Sequence, residues 1–384
     1  MTALLLNIAH AIDHLLLLIF ATAVAAIATD FGMARWEDLM PYASGAFLMF
    51  GLGSWPAGRL GDLWGRRAMM LVFFFGIGVS SLLVALAQGP WQLAAALTLL
   101  GLFSAIYHPV GIPMLLQSTK TPGKTIGING LSGNLGIAAA ALITGALVQW
   151  AGWRAAFVVP GLLTIACGIA FALLSPPETE APARRKPSMA PLDPGLRNRI
   201  LLVMTLTAIT GGLAFNLTTN GNGELLKARM PDLLERPAML GVLLAVIYTL
   251  ASLAQVVVGR LIDRYPIRTL MMSIIALQPL AFLLAANAQG WAMFAAMIVF
   301  MVLVFGAIPF TEAIIARFVD DSMRSRVSGV RITISFGVSS AAVWALGPVV
   351  KATGFTTLMI ALAVVTATSA ALASLLPRED HLST

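Results

Sequence analysis

The sequence predicts an all-α integral membrane protein with twelve transmembrane helices in two pseudo-symmetric six-helix bundles. Three observations carry this. Of 384 residues, 59% are hydrophobic and 11% charged, a balance too apolar for a protein whose solvent is water. The apolar residues fall into runs of about 20, each long enough to cross about 30 Å of hydrocarbon. Finally, a polar decamer between two such runs, Gly58-Arg59-Leu60-Gly61-Asp62-Leu63-Trp64-Gly65-Arg66-Arg67, returns as Gly259-Arg260-Leu261-Ile262-Asp263-Arg264-Tyr265-Pro266-Ile267-Arg268. A loop repeated at the same place between helices marks two copies of one membrane-embedded unit.

In chain order the runs predict helices near 3–28, 41–60, 68–88, 90–117, 125–150 and 153–174, then 198–220, 238–260, 269–288, 290–317, 325–350 and 355–376. The first carries no basic leader and is interrupted by His10, Asp13 and His14, so it reads as a retained helix, not a cleaved signal peptide. The second and third flank the decamer. The fifth contains Gly127, Gly130, Gly133 and Gly136, small residues that let helices cross closely. Its entry, Lys124-x-x-Gly127-x-Asn129, matches Arg326-x-x-Gly329-x-Arg331 at the entry of the eleventh, so the repeat extends beyond the decamer. Between the sixth and seventh, residues 175–197 hold Pro176, Pro177, Pro182, Pro187, Pro191 and Pro194 with Arg184, Arg185 and Lys186, the composition of a linker. The expected organisation is a first half over 1–174, this cytoplasmic linker, and a second half over 198–384. The seventh helix ends in Asn216-Leu-Thr-Thr219-Asn220-Gly-Asn222-Gly-Glu224, expected to unwind either as a gate on the cavity or as an ordinary fraying end.

With both termini inside, seventeen of the 24 Lys and Arg fall on the cytoplasmic side, six on the outer side, and Arg331 within a helix. This asymmetry predicts cytoplasmic termini and residence in the cytoplasmic (inner) membrane. The net charge of +7 is therefore a topology signal, and no nucleic-acid partner is expected. The single cysteine, Cys167, excludes intrachain disulfides. No His-Glu-x-x-His, Gly-x-Ser-x-Gly or phosphate loop is present, which argues against an enzyme, and no cofactor is expected. A non-transporting membrane sensor is the remote alternative, because a sensor is expected to carry a sizeable soluble output domain and neither the termini nor the linker is expected to supply one.

Glycine in the decamer allows close helix approach, while Asp and Arg at the membrane surface can pair with each other and with helix ends, which suits a latch. Arg59 and Arg67 read equally well as plain topology signals. The first copy resembles the loop between the second and third helices of the major facilitator superfamily, and the second copy resembles it without its second glycine. That resemblance implies a secondary transporter working by alternating access, with a conformational latch at Gly58, Gly61, Asp62, Gly65, Arg66, Asp263 and Arg264. Its partners are then a small-molecule substrate, protons and the lipid bilayer, and the expected state is a monomer.

Ionisable groups in hydrocarbon are costly and face the protein interior by default. Asp13, His14, His10 and Glu312 are the proton-coupling candidates, because histidine and a buried carboxylate can exchange protons near neutrality. Asp13 and His14 also fit a static interhelical hydrogen bond or direct substrate contact, and Glu312 also fits an ion pair with Arg331. The candidates for the substrate cavity are His108, Tyr107, Asn134, Asn216, Arg331 and Gln255. A competing set, His10, His14 and His108 with Met297 from the Met293, Met297, Met301 stripe, has ligand types suited to a soft metal such as copper, although methionine in a membrane helix usually only packs.

A histidine- and aspartate-bearing first helix with Tyr107-His108-Pro109-x-Gly111 in the fourth resembles the fosmidomycin-resistance branch of the superfamily, described as drug exporters. This implies proton-coupled export of a drug-like or anionic compound. The Gly-Pro-x-x-Gly-Gly signature of many exporters is absent, with Gly133-Asn134-Leu135-Gly136 in its place, which leaves import of a metal, a chelate or another small solute open.

Overall fold

The computed structural model describes residues 1–117, 119–178, 180–184, 193–230 and 237–377, and every regular element among them is helical. The helices are α1 (Thr2–Asp30), α2 (Ser44–Trp64), α3 (Arg66–Ala85), α4 (Pro90–Ser104), α5 (Ile112–Leu116), α6 (Pro122–Ala151) and α7 (Trp153–Leu174). They continue with α8 (Pro194–Arg229), α9 (Pro237–Ile262), α10 (Ile267–Ile275), α11 (Gln278–Ala286), α12 (Gly290–Ala307), α13 (Pro309–Phe318) and α14 (Arg324–Ala373). Proline opens α4, α6 and α8, where its missing N–H would have had no partner.

Ten helical stretches among the described residues are long and apolar enough to cross a membrane. The expected twelve spans follow from two details. Within α14 the backbone breaks at Gly354, whose φ of 77° is a left-handed conformation that side chains disfavour, so this stretch is two spans joined at a kink. The 21-residue α2 is the other: its glycines, Pro56, Arg59 and Asp62 dilute its hydropathy without shortening it. Three spans are composite: α4 with α5, α10 with α11, and α12 with α13. Pro109 sits in a π-helical turn, Tyr107–Gly111, that joins α4 to α5, and Pro309 separates α12 from α13 at the matching place two hundred residues on, about one repeat later.

One expectation is overturned. The Asn216–Glu224 run does not unwind; α8 continues through it to Arg229. Its polar side chains bond back to their own helix: Asn216 Nδ2 donates to Gly212 O at 2.9 Å, Thr219 Oγ1 to Phe215 O at 2.7 Å and Asn220 Nδ2 to Asn216 O at 2.9 Å. Side chains satisfied in this way leave the backbone ladder intact. The linker is entered after Leu174 and left at Pro194, and its residues 185–192 lie outside the described residues.

Packing repeats with the sequence. α1 lies along α6 and α8 along the first half of α14; α3 packs on α7 as α11 packs on the end of α14. The most extensive contacts between the early helices and the late ones are α2 against α14 and α6 against α9. Both are glycine crossings. A Cβ on Gly127 would stand 2.8 Å from Gln255 O and one on Gly259 2.6 Å from Gly123 O, while Gly58 and Gly329 face the carbonyls of Ser325 and Ser54 at the equivalent positions. Leu163, Leu284 and Val364 are exposed on the perimeter, where hydrocarbon replaces water.

Candidate functional site

The π turn and the Pro309 break are where the site is built. The π turn rotates His108 toward α1, and three imidazoles from two helices meet: His14 Nε2 lies 3.0 Å from His10 Nε2, and the His108 ring stands edge-on to both at centroid distances of 5.0 and 5.6 Å. His10 Nδ1 is 2.8 Å from the carbonyl of Asn129. A carbonyl only accepts, so Nδ1 carries the hydrogen, and in the neutral ring Nε2 accepts from His14. The Asn129 side chain fixes the rest: Nδ2 donates to Asn7 Oδ1 and to Tyr107 Oη, both at 2.8 Å, and Tyr107 Oη donates to Leu6 O at 2.8 Å. Tyr107 stacks on His10 at 4.7 Å.

Asp13 is fully buried behind this cluster, with Oδ2 3.8 Å from His108 Nε2. Neither carboxyl oxygen has a hydrogen-bond partner, and the neighbouring Ser104 Oγ is likewise unpaired, near the carboxyl but outside bonding geometry. Asp13 therefore meets His108, not His10 as helical spacing alone allows. Opposite, Arg331 Nη2 donates to Glu312 Oε1 at 2.6 Å, so the ion-pair reading of Glu312 is the one the geometry adopts.

Between these groups lies a cavity of about 160 Å³. His10, His14, His108, Asn134, Asn216, Gln255, Glu312 and Arg331 all line it; Tyr107 and Asp13 stand behind the lining. Sequence reasoning did not single out Phe215 and Phe336, which also line it, or Asn129, which organises it. A signal for Asn129 existed. It occupies the place in the first copy that Arg331 occupies in the second, and each ties its helix to the broken span beside it. Met297 is fully buried in the α12 core and is not part of the lining, so the mixed histidine and methionine set does not assemble. The three imidazoles do, with ligand atoms within 4.8 Å of one another.

The decamers lie away from the cavity, at one end of the bundle. Asp62 Oδ2 accepts from the backbone N–H of Arg326 at 3.1 Å, and the Asp263 carboxylate accepts from those of Gly123 and Lys124 at 3.0 and 2.9 Å. Each aspartate thus caps the first turn of a helix in the other copy of the repeat. The two differ in their arginine. Arg66 is fully buried and donates to Ser325 Oγ, to Pro113 O, to Asp321 Oδ1 and O, and to Asp62 Oδ1. Its counterpart by position is Ile267, and Arg264 is exposed. At the opposite end Gly347 sits against Glu37 and Lys351 Nζ lies 3.2 Å from Asp38 Oδ1.

Residues 6–222 match the sequence profile of the Major Facilitator Superfamily. The chain belongs to the Major Facilitator Superfamily. Superfamily members are membrane transporters, not enzymes, which agrees with the multi-pass fold. The structure is similar to that of the proton:xylose symporter XylE bound to 6-bromo-6-deoxy-D-glucose, with a TM-score of 0.79 over 98% of this chain and 96% of that one at 11% identity, a likeness of fold. Among sequence relatives in the superfamily, a tetracenomycin C resistance and export protein of Streptomyces glaucescens is 33% identical over 44% of this chain and 31% of its own length. A puromycin resistance protein of Streptomyces alboniger is 30% identical over 34% of this chain and 27% of its own. A 4-hydroxybenzoate transporter of Pseudomonas aeruginosa is 27% identical over 38% and 32%. In each case the matched stretch spans less than a third of the relative.

Proposed function

We propose that this superfamily member is a proton-coupled secondary transporter that exports a small oxygen-bearing organic compound by alternating access. The observation that carries the reading is the cavity, which brings titratable groups from α1, the π turn, α13 and α14 to one place in an otherwise apolar span. Substrate binds there, between a first half over residues 1–174 and a second over 198–384 that rock about it, joined by the linker at 175–197. Asp13 is the proton carrier, exchanging with His108 and through it with His14 and His10, and Glu312 is a second carrier when its pair with Arg331 opens. The decamers hold the present conformer closed at their end, which is the cytoplasmic end if the positive-inside rule governs insertion into the inner membrane. The working unit is a monomer.

Export is favoured by the antibiotic resistance and export proteins among the relatives, and the aromatic-acid transporter among them supports a compound rich in ring and oxygen. Placement in the fosmidomycin-resistance branch rests on the first-helix His/Asp set and Tyr107-His108-Pro109 alone. The test is transport into proteoliposomes under an imposed proton gradient, reading lumenal pH while organic anions, antibiotics and metal ions are added, for the parent and for Asp13→Asn. Substrate-dependent proton movement that Asp13→Asn abolishes supports the reading, and its direction separates export from import. Transport that ignores both the gradient and the substitution removes Asp13 from the mechanism.

A further inference from the structure

We infer that the cavity is a site for a single-ring aromatic carboxylate. This deepens the transport reading and rests on it. Three side chains, each at least nine-tenths buried and each lining the cavity, keep a nitrogen without a hydrogen-bond partner: Asn134 Nδ2 from α6, Gln255 Nε2 from α9 and Arg331 Nε from α14. All three are N–H donors. Glu312 Oε1 already takes Arg331 Nη2, and the unpaired Asp13 carboxyl stands behind the lining. A buried donor without a partner has lost its water and gained nothing in return, and what this set lacks is oxygen. A carboxylate supplies two acceptor oxygens and gains a charge-assisted bond from the free Nε–H of Arg331; a ring hydroxyl or carbonyl reaches a remaining amide.

The shape of the walls selects the rest of the ligand. Phe215 and Phe336 line the cavity, Phe215 edge-on to His14 at 6.0 Å and Phe336 tilted on Phe50 at 4.4 Å, so both are fixed by other rings and present flat apolar surface. Size decides how many rings enter. A cavity of roughly 150 Å³ accommodates benzene, and this one is about 160 Å³. One substituted ring fits this volume, whereas a fused tetracycle needs roughly four such ring volumes. Because the donors come from α6, α9 and α14, a bound ring bridges the two copies of the repeat.

The test is equilibrium binding of radiolabelled 4-hydroxybenzoate to the purified full-length protein in lipid nanodiscs, with competition by unlabelled benzoate, cyclohexanecarboxylate, benzyl alcohol and a tetracyclic hydroxyquinone. The expected result is saturable binding displaced by benzoate, weakly by cyclohexanecarboxylate and benzyl alcohol, and not by the tetracycle. Asn134→Ala and Gln255→Ala each weaken binding about tenfold, as loss of one hydrogen bond predicts, whereas Thr368→Ala on the exposed face leaves it unchanged. The competition series on the unsubstituted protein decides the matter even if a variant fails to fold. No binding at millimolar ligand, equal competition by the tetracycle, or unaltered affinity in both amide variants overturns the inference. Proton-coupled movement of larger compounds in that case leaves the transport reading standing and removes only the single-ring class.

Discussion

Replacing Arg66 by Gln tests what holds the decamer end shut. The guanidinium is fully buried and, among the described residues, donates five hydrogen bonds, three of which reach across to Asp321, in the turn before α14, and to Ser325 in its first turn. Separation of α2 from α14 breaks those three and leaves the two to Pro113 and Asp62 within the first copy. A hydrogen bond to a charged group contributes about 1.5 kcal/mol net at the low end, and removing one partner of a buried ion pair costs roughly 3–5 kcal/mol. Hydration of the arginine after opening offsets part of this, so about 3 kcal/mol is the differential between closed and open. That shifts the closed-to-open ratio by about a hundredfold. Asp263→Asn is the comparison, because the second copy has only the aspartate cap, worth about 1 kcal/mol and a few-fold in ratio. The assay is electron-spin distance measurement between labels at Arg59 and Arg326 in a Cys167→Ala background, in nanodiscs without substrate. Arg66→Gln produces a long-distance population that Asp263→Asn produces only weakly. Equal distributions for parent and Arg66→Gln, or a larger opening with Asp263→Asn, refutes the assignment of closure to the first copy.

Three further outcomes are expected. A methyl at Gly127 stands 2.8 Å from the Gln255 carbonyl oxygen, inside the 3.4 Å of ordinary contact and against backbone that cannot rotate away, so Gly127→Ala forces α6 from α9 and lowers transport at least tenfold, about 1.4 kcal/mol, in the proteoliposome assay. Glu312→Gln leaves the Arg331 charge unpaired and lowers the temperature at which Cys167 becomes reactive to a thiol dye, by more than the double variant Glu312→Gln/Arg331→Gln does; a larger loss in the double variant contradicts the pair. Tyr107→Phe removes the bond to Leu6 O and one acceptor for Asn129, costing about 1–3 kcal/mol in the same thermal assay while leaving His10 its carbonyl partner.

The spans were legible because hydrocarbon imposes length and composition on each one separately. The sixth was expected at 153–174 and is Trp153–Leu174, and the gap expected between the last two falls at Gly354. Local pattern was less able to say where a helix tolerates polar residues. The Asn216–Glu224 run reads as a helix end, and only the carbonyls one turn back, which absorb its donors, keep it helical. The site was half legible. His10 and His14 share a helix, so their contact follows from spacing, but His108 joins them through a proline-widened turn whose rotation depends on packing. Spacing puts Asp13 on one helix face with His10, but which of several neighbours a buried carboxyl meets is decided by the partner helix, here through His108. Phe215 and Phe336 carried no signal, because an aromatic on a cavity wall and one against lipid look alike in a membrane sequence.

The exchange of caps at the decamer end divides the contact unequally between genetics and geometry. On one side stand two aspartates, Asp62 and Asp263, which a single codon change can remove; on the other stand the amide hydrogens of Gly123, Lys124 and Arg326, which every residue but proline supplies. The side chains of Lys124 and Arg326 are consequently at liberty to drift, and proline alone is barred from these two positions. Since each copy of the repeat completes a helix of the other, two halves made as separate chains carry unfinished helix ends whose best acceptors lie on the complementary fragment, and co-expressed fragments should find each other through them.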